Sequence, residues 1–175
     1  MNTTTAHISE MTAPGTMRYD ARAGKYLTFH LGSEEFGIRV LQVREIMGMQ
    51  DITSVPQTPR HIKGVINLRG KVIPVLDLRA RFGLEAQEYS ARTCIIVTQV
   101  RGEAGPMQVG IIVDAVSEVL NVVPNEIEDT PSFGGELPTP YLLGMAKIKD
   151  KVKILLDIDQ VVTPQELPVL SNLAV

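Results

Sequence analysis

The sequence predicts a mostly β fold, a sandwich or barrel of short strands. Three observations predict it. Apolar runs alternate with period two or are short and β-branched, as where Leu27, Phe29 and Leu31 are separated by Thr28 and His30. Turn residues punctuate these runs about every eight to twelve residues, the spacing of an all-β domain. Helical windows long enough for crossovers between parallel strands are missing. The chain has 175 residues, which allows one domain or two small fused barrels. At this size folding buries roughly 70% of the chain's surface, so the core needs no covalent staples.

Residues 1–24 are rich in Thr and small residues without an apolar period, and are expected to form a mobile tail. They carry neither a basic n-region nor an apolar h-region. No apolar run approaches the ~18 residues of a membrane span. A cytoplasmic protein is therefore expected. Residues 26–31 and 36–40 form a predicted hairpin across Gly32-Ser33-Glu34-Glu35. Over 41–47 the period changes. Val43, Ile46 and Met47 fall at i, i+3 and i+4, which predicts a short helix ending near Gly48.

Pro56 and Pro59 mark a loop. Runs 65–68 and 72–76 flank Arg69-Gly70-Lys71, a hairpin signal. Pro74 lacks a ladder donor and places the second run at an edge or bulge. Runs 93–100 and 107–113 form the next predicted pair, and 116–123 a further strand. Residues 124–140 hold Pro131, Gly134, Gly135 and Pro138 and are expected to be a long loop. Runs 142–148 and 152–156 make a last hairpin around Lys149-Asp150-Lys151. A short helix is expected from Ile158, stopped near Pro164.

Composition excludes several function classes. Lys and Arg number 17 against 20 Asp and Glu, a net charge of −3. With no Trp and 5% aromatic residues, neither phosphate-backbone binding nor base stacking is supported, so no nucleic-acid partner is expected. The charge is unevenly placed. Arg60, Lys63, Arg69, Lys71, Arg79 and Arg81 are opposed between positions 60 and 81 by Asp77 alone. Between 102 and 146 there is no Lys or Arg, while Glu103, Asp114, Glu118, Glu126, Glu128, Asp129 and Glu136 accumulate. The two stretches either steer separate partners or face each other within the fold.

Cys94 sits in a β-branched run with no His at ligand spacing, so no metal site is expected. Nucleophile-elbow and phosphate-loop motifs are missing, and no cofactor is expected. Asp77, Asp114 and Asp157 each follow an apolar run. At the ends of parallel strands they would make a Mg²⁺-dependent phospho-acceptor or phosphotransfer site; as strand-ending turn residues they would make none. Arg69 lies in Asn67-Leu68-Arg69-Gly70, a tight turn between two apolar strands. It is either solvated or an interface residue, a role its planar donor fork favours. Glu45, beside Val43 and Ile46, has the same two readings.

The motif string is more specific than its parts. Phe36-Gly37-Ile38 with Val43-Arg44-Glu45-Ile46, the stretch from His61 through Arg69-Gly70 to Asp77-Leu78, residues 109–116, and Tyr141-Leu142-Leu143-Gly144 resemble the CheW family of chemotaxis coupling proteins. The resemblance spans about residues 26–162. It implies two packed five-stranded SH3-like barrels with a few short helices and no enzymatic activity. It implies a domain over 25–165, its first barrel mainly 26–88 and its second mainly 90–156, with strands that can cross between them. Residues 166–175 would be a C-terminal extension. The implied function is a non-enzymatic adaptor joining the cytoplasmic domain of chemoreceptors to the regulatory domain of the histidine kinase CheA, recruited to receptor arrays without membrane insertion. Carried over residue by residue, the resemblance implies partner contacts at Arg69, Glu45 and Val43, then at Gly64, Asn67, Cys94, Gly110 and Val119.

Overall fold

The computed structural model describes residues 19–102, 104–130, 140–162 and 167–173. Among these, two sheets carry the fold. The strands are β1 (Gly24–Leu31), β2 (Glu34–Arg39), β3 (Val43–Gly48), β4 (Ile62–Leu68), β5 (Lys71–Asp77), β6 (Cys94–Gly102), β7 (Gly105–Val113), β8 (Ala115–Val122), β9 (Ile127–Glu128), β10 (Leu142–Ile148) and β11 (Lys151–Leu156). Short helices α1 (Leu78–Arg81), α2 (Ile158–Val161) and α3 (Leu167–Leu173) complete it. One sheet has the order β8-β1-β2-β11-β10-β9, the other β3-β6-β7-β5-β4. The first counts six strands rather than five because a 3₁₀ turn, Pro124–Glu126, splits one run into β8 and β9.

Strands cross the division near residue 88. The β1–β2 hairpin pairs with β8, which follows β7 in the chain. The β6–β7 hairpin pairs with β3, which follows β2. Each half of the chain thus lends a hairpin to the other half's sheet, β1–β2 to the sheet of β8–β11 and β6–β7 to the sheet of β3–β5.

The exchange explains the apolar runs. Along β6, Ile95 and Val97 join Ile66, Ile73, Val75 and Ile112 inside one barrel, while Cys94 and Ile96 turn to the core shared with the other sheet. A strand buried on both faces loses its polar alternation. The second barrel interior holds Tyr26, Val122, Ile127, Ala146 and Leu155. The shared core is the largest of the three and includes Phe29, Phe36, Ile38, Ile111, Val113 and Leu156. A stack of rings, Phe29–Phe36–Phe82–Tyr141 with centroids 5.1–6.0 Å apart, crosses it.

Residues 61–81 and 141–161 build the same unit, one in each sheet. Both hairpins carry a bulge at a glycine, Gly64 with φ 143° and Gly144 with φ 157°. Both end at an aspartate whose carboxylate caps a short helix, Asp77 accepting from the Arg79 N–H at 2.9 Å and Asp157 from the Asp159 N–H at 3.1 Å. Asp77 N–H donates to the His61 carbonyl and Asp157 N–H to the Tyr141 carbonyl, each at 2.8 Å. The 80-residue offset between these units lies beyond the repeat periods that the sequence pattern makes visible.

Three expectations change. Residues 43–48 are a strand, not a helix. The i, i+3, i+4 match conceals alternation: Val43, Glu45 and Met47 are half-buried, while Arg44, Ile46 and Gly48 are exposed. Pro74 lies in β5, an interior strand, but the pairing of β5 with β7 begins only at Val75, so no ladder donor is missing there. Residues 19–24 belong to the ordered body, since Arg22 bridges Asp20 and Asp129 and its carbonyl accepts from Tyr26 Oη at 2.7 Å. The rest of the expected tail, 1–18, and the centre of the expected loop, 131–139, lie outside the described residues. Within the expected C-terminal extension lies α3, whose Leu170 is fully buried in the shared core.

Candidate partner-binding surface

The β4–β5 hairpin turns through two left-handed residues, Arg69 with φ 51° and Gly70 with φ 85°. This is the backbone sign that a two-residue hairpin needs to match strand twist. Asn67 Oδ1 accepts from the Gly70 N–H at 3.0 Å and braces the turn. The turn aims the Arg69 guanidinium back at β3, where both of its terminal nitrogens reach the Glu45 carboxylate, one at 3.3 Å. Arg69 remains 71% exposed and Glu45 29%. Such a pair adds up to about 1 kcal/mol to stability. Its consequence is geometric, because β3 and β4 are the two edges of their sheet. The pair ties those edges at one end of the barrel.

Gly64 lies at a second seam, where β4 meets the chain that follows β3. Thr53 and Val65 exchange backbone hydrogen bonds, each 2.9 Å long. A Cβ on Gly64 would lie 2.0 Å from the Thr53 carbonyl oxygen, so only glycine permits this seam.

Of the eight residues singled out in the sequence, the fold therefore joins Arg69, Glu45 and Asn67 at one hairpin tip and sets Gly64 in the seam below. Val43 lies on β3, half-buried against the shared core. Cys94 and Gly110 are buried on β6 and β7. Burial raises the Cys94 thiol above its ordinary range, against a smaller lowering from a hydrogen bond with the Val116 backbone. Gly110 is packed so closely that a Cβ would meet Ile95 Cγ2 at 2.9 Å. Val119 stands apart on β8 of the other sheet, 55% exposed.

The aspartates do not converge into one site. Parallel strands exist, β5 with β7 and β11 with β2, but each connection passes through further strands of the sheets rather than a covering helix. Asp77 and Asp157 cap helices in equivalent places of different sheets. Asp114 pairs with Arg79, whose Nε and Nη2 donate to its two oxygens at 2.7 and 2.6 Å.

This Arg79–Asp114 pair escaped sequence reasoning. Asp114 also accepts from the Gly32 N–H at 2.7 Å, and Arg79 reaches the Glu85 carbonyl and Gln87 Oε1. Burial alone would raise the Asp114 carboxyl, but the hydrogen bonds from Arg79 and Gly32 outweigh it and hold the group below its ordinary range. The pair joins the basic stretch to the acidic one, so at this point the two face each other inside the fold. Its only trace in the sequence is that each residue follows the end of an apolar run. Lys153 with Glu35, an ion pair buried beside β2, was equally hidden.

A family model for the CheW-like domain matches residues 25–166. The chain belongs to the CheW family. It is similar to the chemotaxis protein CheW of Klebsiella aerogenes, 39% identical over 150 residues, covering 86% of this chain and 88% of that one. CheW of Rhizobium meliloti is 36% identical over 140 residues, 80% of this chain and 88% of its own. Among solved structures, the crystal structure of the scaffolding protein TtCheW from Thermoanaerobacter tengcongensis matches with a TM-score of 0.72 at 36% identity, covering 81% of this chain and 93% of that one. The two sheets are the two SH3-like barrels of a CheW fold. CheW-family membership makes the protein a chemotaxis scaffold rather than an enzyme. No helix among the described residues is long and apolar enough to cross a membrane.

Proposed function

We propose that this CheW-family scaffold holds the cytoplasmic domain of chemoreceptors and the regulatory domain of the histidine kinase CheA together, and reaches the membrane-bound array through the receptors. The observation that carries the reading is the Arg69 tip: an exposed guanidinium on a rigid two-residue turn, fixed by Glu45 and backed by a packed barrel. A guanidinium held in one orientation loses little side-chain entropy when a partner docks. Val119, exposed on the other barrel, offers a separate apolar contact, so two partners can be engaged without competing for one surface. Transmission between them further requires that affinity for one partner depend on the state of the other.

The test is capture of purified kinase regulatory domain and receptor cytoplasmic fragment by the full chain, with Arg69→Glu as the variant. The expected result is at least about tenfold weaker capture of one partner, from one lost charge-assisted contact and a repulsion introduced in its place. The urea midpoint should shift little, because the Arg69–Glu45 pair contributes at most about 1 kcal/mol. Unchanged capture of both partners refutes the assignment. Loss of folding makes Arg69 structural instead.

A further inference from the structure

Among the described residues the chain passes from one sheet to the other at two places. One is the 3₁₀ turn Val40–Gln42 between β2 and β3, and the other is Asp114 between β7 and β8. A clasp of the same plan holds each crossing. It joins the crossing to the second residue of a short helix, Arg79 of α1 or Asp159 of α2. It also joins a hairpin of the opposite sheet through one backbone N–H, that of Gly32 or of Arg101. Helix and hairpin belong to different sheets, so each clasp fastens one barrel to the other.

The two clasps are unequal. In the first, Arg79 Nε and Nη2 donate to the Asp114 carboxylate at 2.7 and 2.6 Å, and the Gly32 N–H adds a third bond at 2.7 Å. Arg79 is 11% exposed. Gln87, Glu88, Tyr89 and Ser90 line the space beside the pair, which is only about 70 Å³. In the second clasp a neutral amide replaces the guanidinium. Asp159 accepts from Gln42 Nε2 at 3.3 Å and from the Arg101 N–H at 3.0 Å. Gln42 Nε2 is shared with the Gln99 carbonyl at 3.4 Å. Arg101 Nε lies 3.8 Å from Asp159, but the Arg101 side chain is 91% exposed, so water competes with the pair. The space beside this clasp is about 670 Å³ and is lined by Val100 of the shared core. Short bidentate guanidinium–carboxylate bonds are roughly twice as strong as neutral ones. The two ends of one interface therefore differ in strength and in access to water.

We infer that the barrel interface has a fixed end and a releasable end: it opens locally at the Gln42 crossing while Arg79 and Asp114 hold the other. The shared core keeps the barrels joined, so release opens a rim. Opening at one end alone changes the angle between the barrel that carries Arg69 and the one that carries Val119. The device is a property of the fold and does not rest on the kinase and receptor assignment.

Native-state hydrogen exchange of the full chain tests it. After correction for intrinsic rates, the Arg101 amide should exchange at least about tenfold faster than the Gly32 amide, its counterpart in the first clasp. Its exchange should be insensitive to dilute urea, as for an opening that exposes little surface. Gln42→Arg gives the second clasp a guanidinium and should slow Arg101 by about tenfold while leaving Gly32 unchanged. The Val43 amide, which donates to the Val40 carbonyl within the crossing, should slow with it. Equal protection of Gly32 and Arg101, or Arg101 exchange only through global unfolding, overturns the inference on the native chain, whatever the variant does. A response of Arg101 without Val43 would mean fraying of the β6–β7 hairpin and would overturn it as well.

Discussion

Gly64→Ala tests whether the Thr53–Val65 seam holds its barrel closed. The added Cβ would lie 2.0 Å from the Thr53 carbonyl oxygen and 2.7 Å from its carbon. Both are backbone atoms, so no side-chain rotation relieves the clash, and the seam must open. Opening it breaks two backbone hydrogen bonds of 2.9 Å, each with a net contribution of about 1 kcal/mol. Gly64 also has φ 143°, a conformation that costs a residue with a side chain about 1–3 kcal/mol. The sum is about 3–5 kcal/mol, a large part of the 5–15 kcal/mol typical of a domain. Gly70→Ala is the control. Its φ of 85° is also left-handed, but nothing lies within 4 Å of the new Cβ, so the loss should be about 1 kcal/mol. The assay is urea unfolding followed by far-ultraviolet circular dichroism, because the chain has no Trp. A Gly64→Ala protein within about 1 kcal/mol of the native one, or a Gly70→Ala loss as large, refutes the seam as a structural requirement.

Two further outcomes follow from a half-buried and a buried group. Arg79→Ala should cost about 1–3 kcal/mol in the same assay, because the half-buried Asp114 loses its main donor. The Asp114 carboxyl lies below its ordinary range in the folded state. Its contribution is therefore complete above the unfolded value of about 3.9 and is lost as pH falls through the lower folded value. Acid titration of stability should accordingly be shallower in Arg79→Ala than in the native chain, and parallel curves would remove Asp114 from the acid response. Cys94, buried with its thiol raised, should react with a disulfide reagent at least about tenfold more slowly in the folded chain than in urea. Equal rates would place the thiol at the surface.

Most strands were legible in the sequence because their cues are local. The hairpin around Arg69 and Gly70 announces itself through a turn signal between two apolar runs, and the one around Lys149 and Asp150 does the same. The stretch 43–48 was misjudged because six residues are too few to separate a period of two from one of 3.6, and Ile46, apolar yet exposed, completed a false helical match. Arg69 and Glu45 were each visible as candidates, but nothing in the chain between them announces that they meet. Cys94, Gly110 and Val119 were carried over by resemblance alone, and burial now separates the first two from the third.

By itself the sequence determined the β class, the hairpin positions, the chemotaxis family and the lack of familiar catalytic motifs, since periodicity, turn chemistry and motif strings reside in neighbouring residues. The tertiary structure alone decided which strands pair. The exchange of the β1–β2 and β6–β7 hairpins between sheets depends on pairings with β8 and β3, a condition spread over residues 24–122. It also decided that Arg79 meets Asp114 across 35 positions and that Arg69 ties its barrel's edges through Glu45, 24 positions away. Such contacts form only once the barrels have closed, because closure sets the distance between edges that the chain's local preferences leave open.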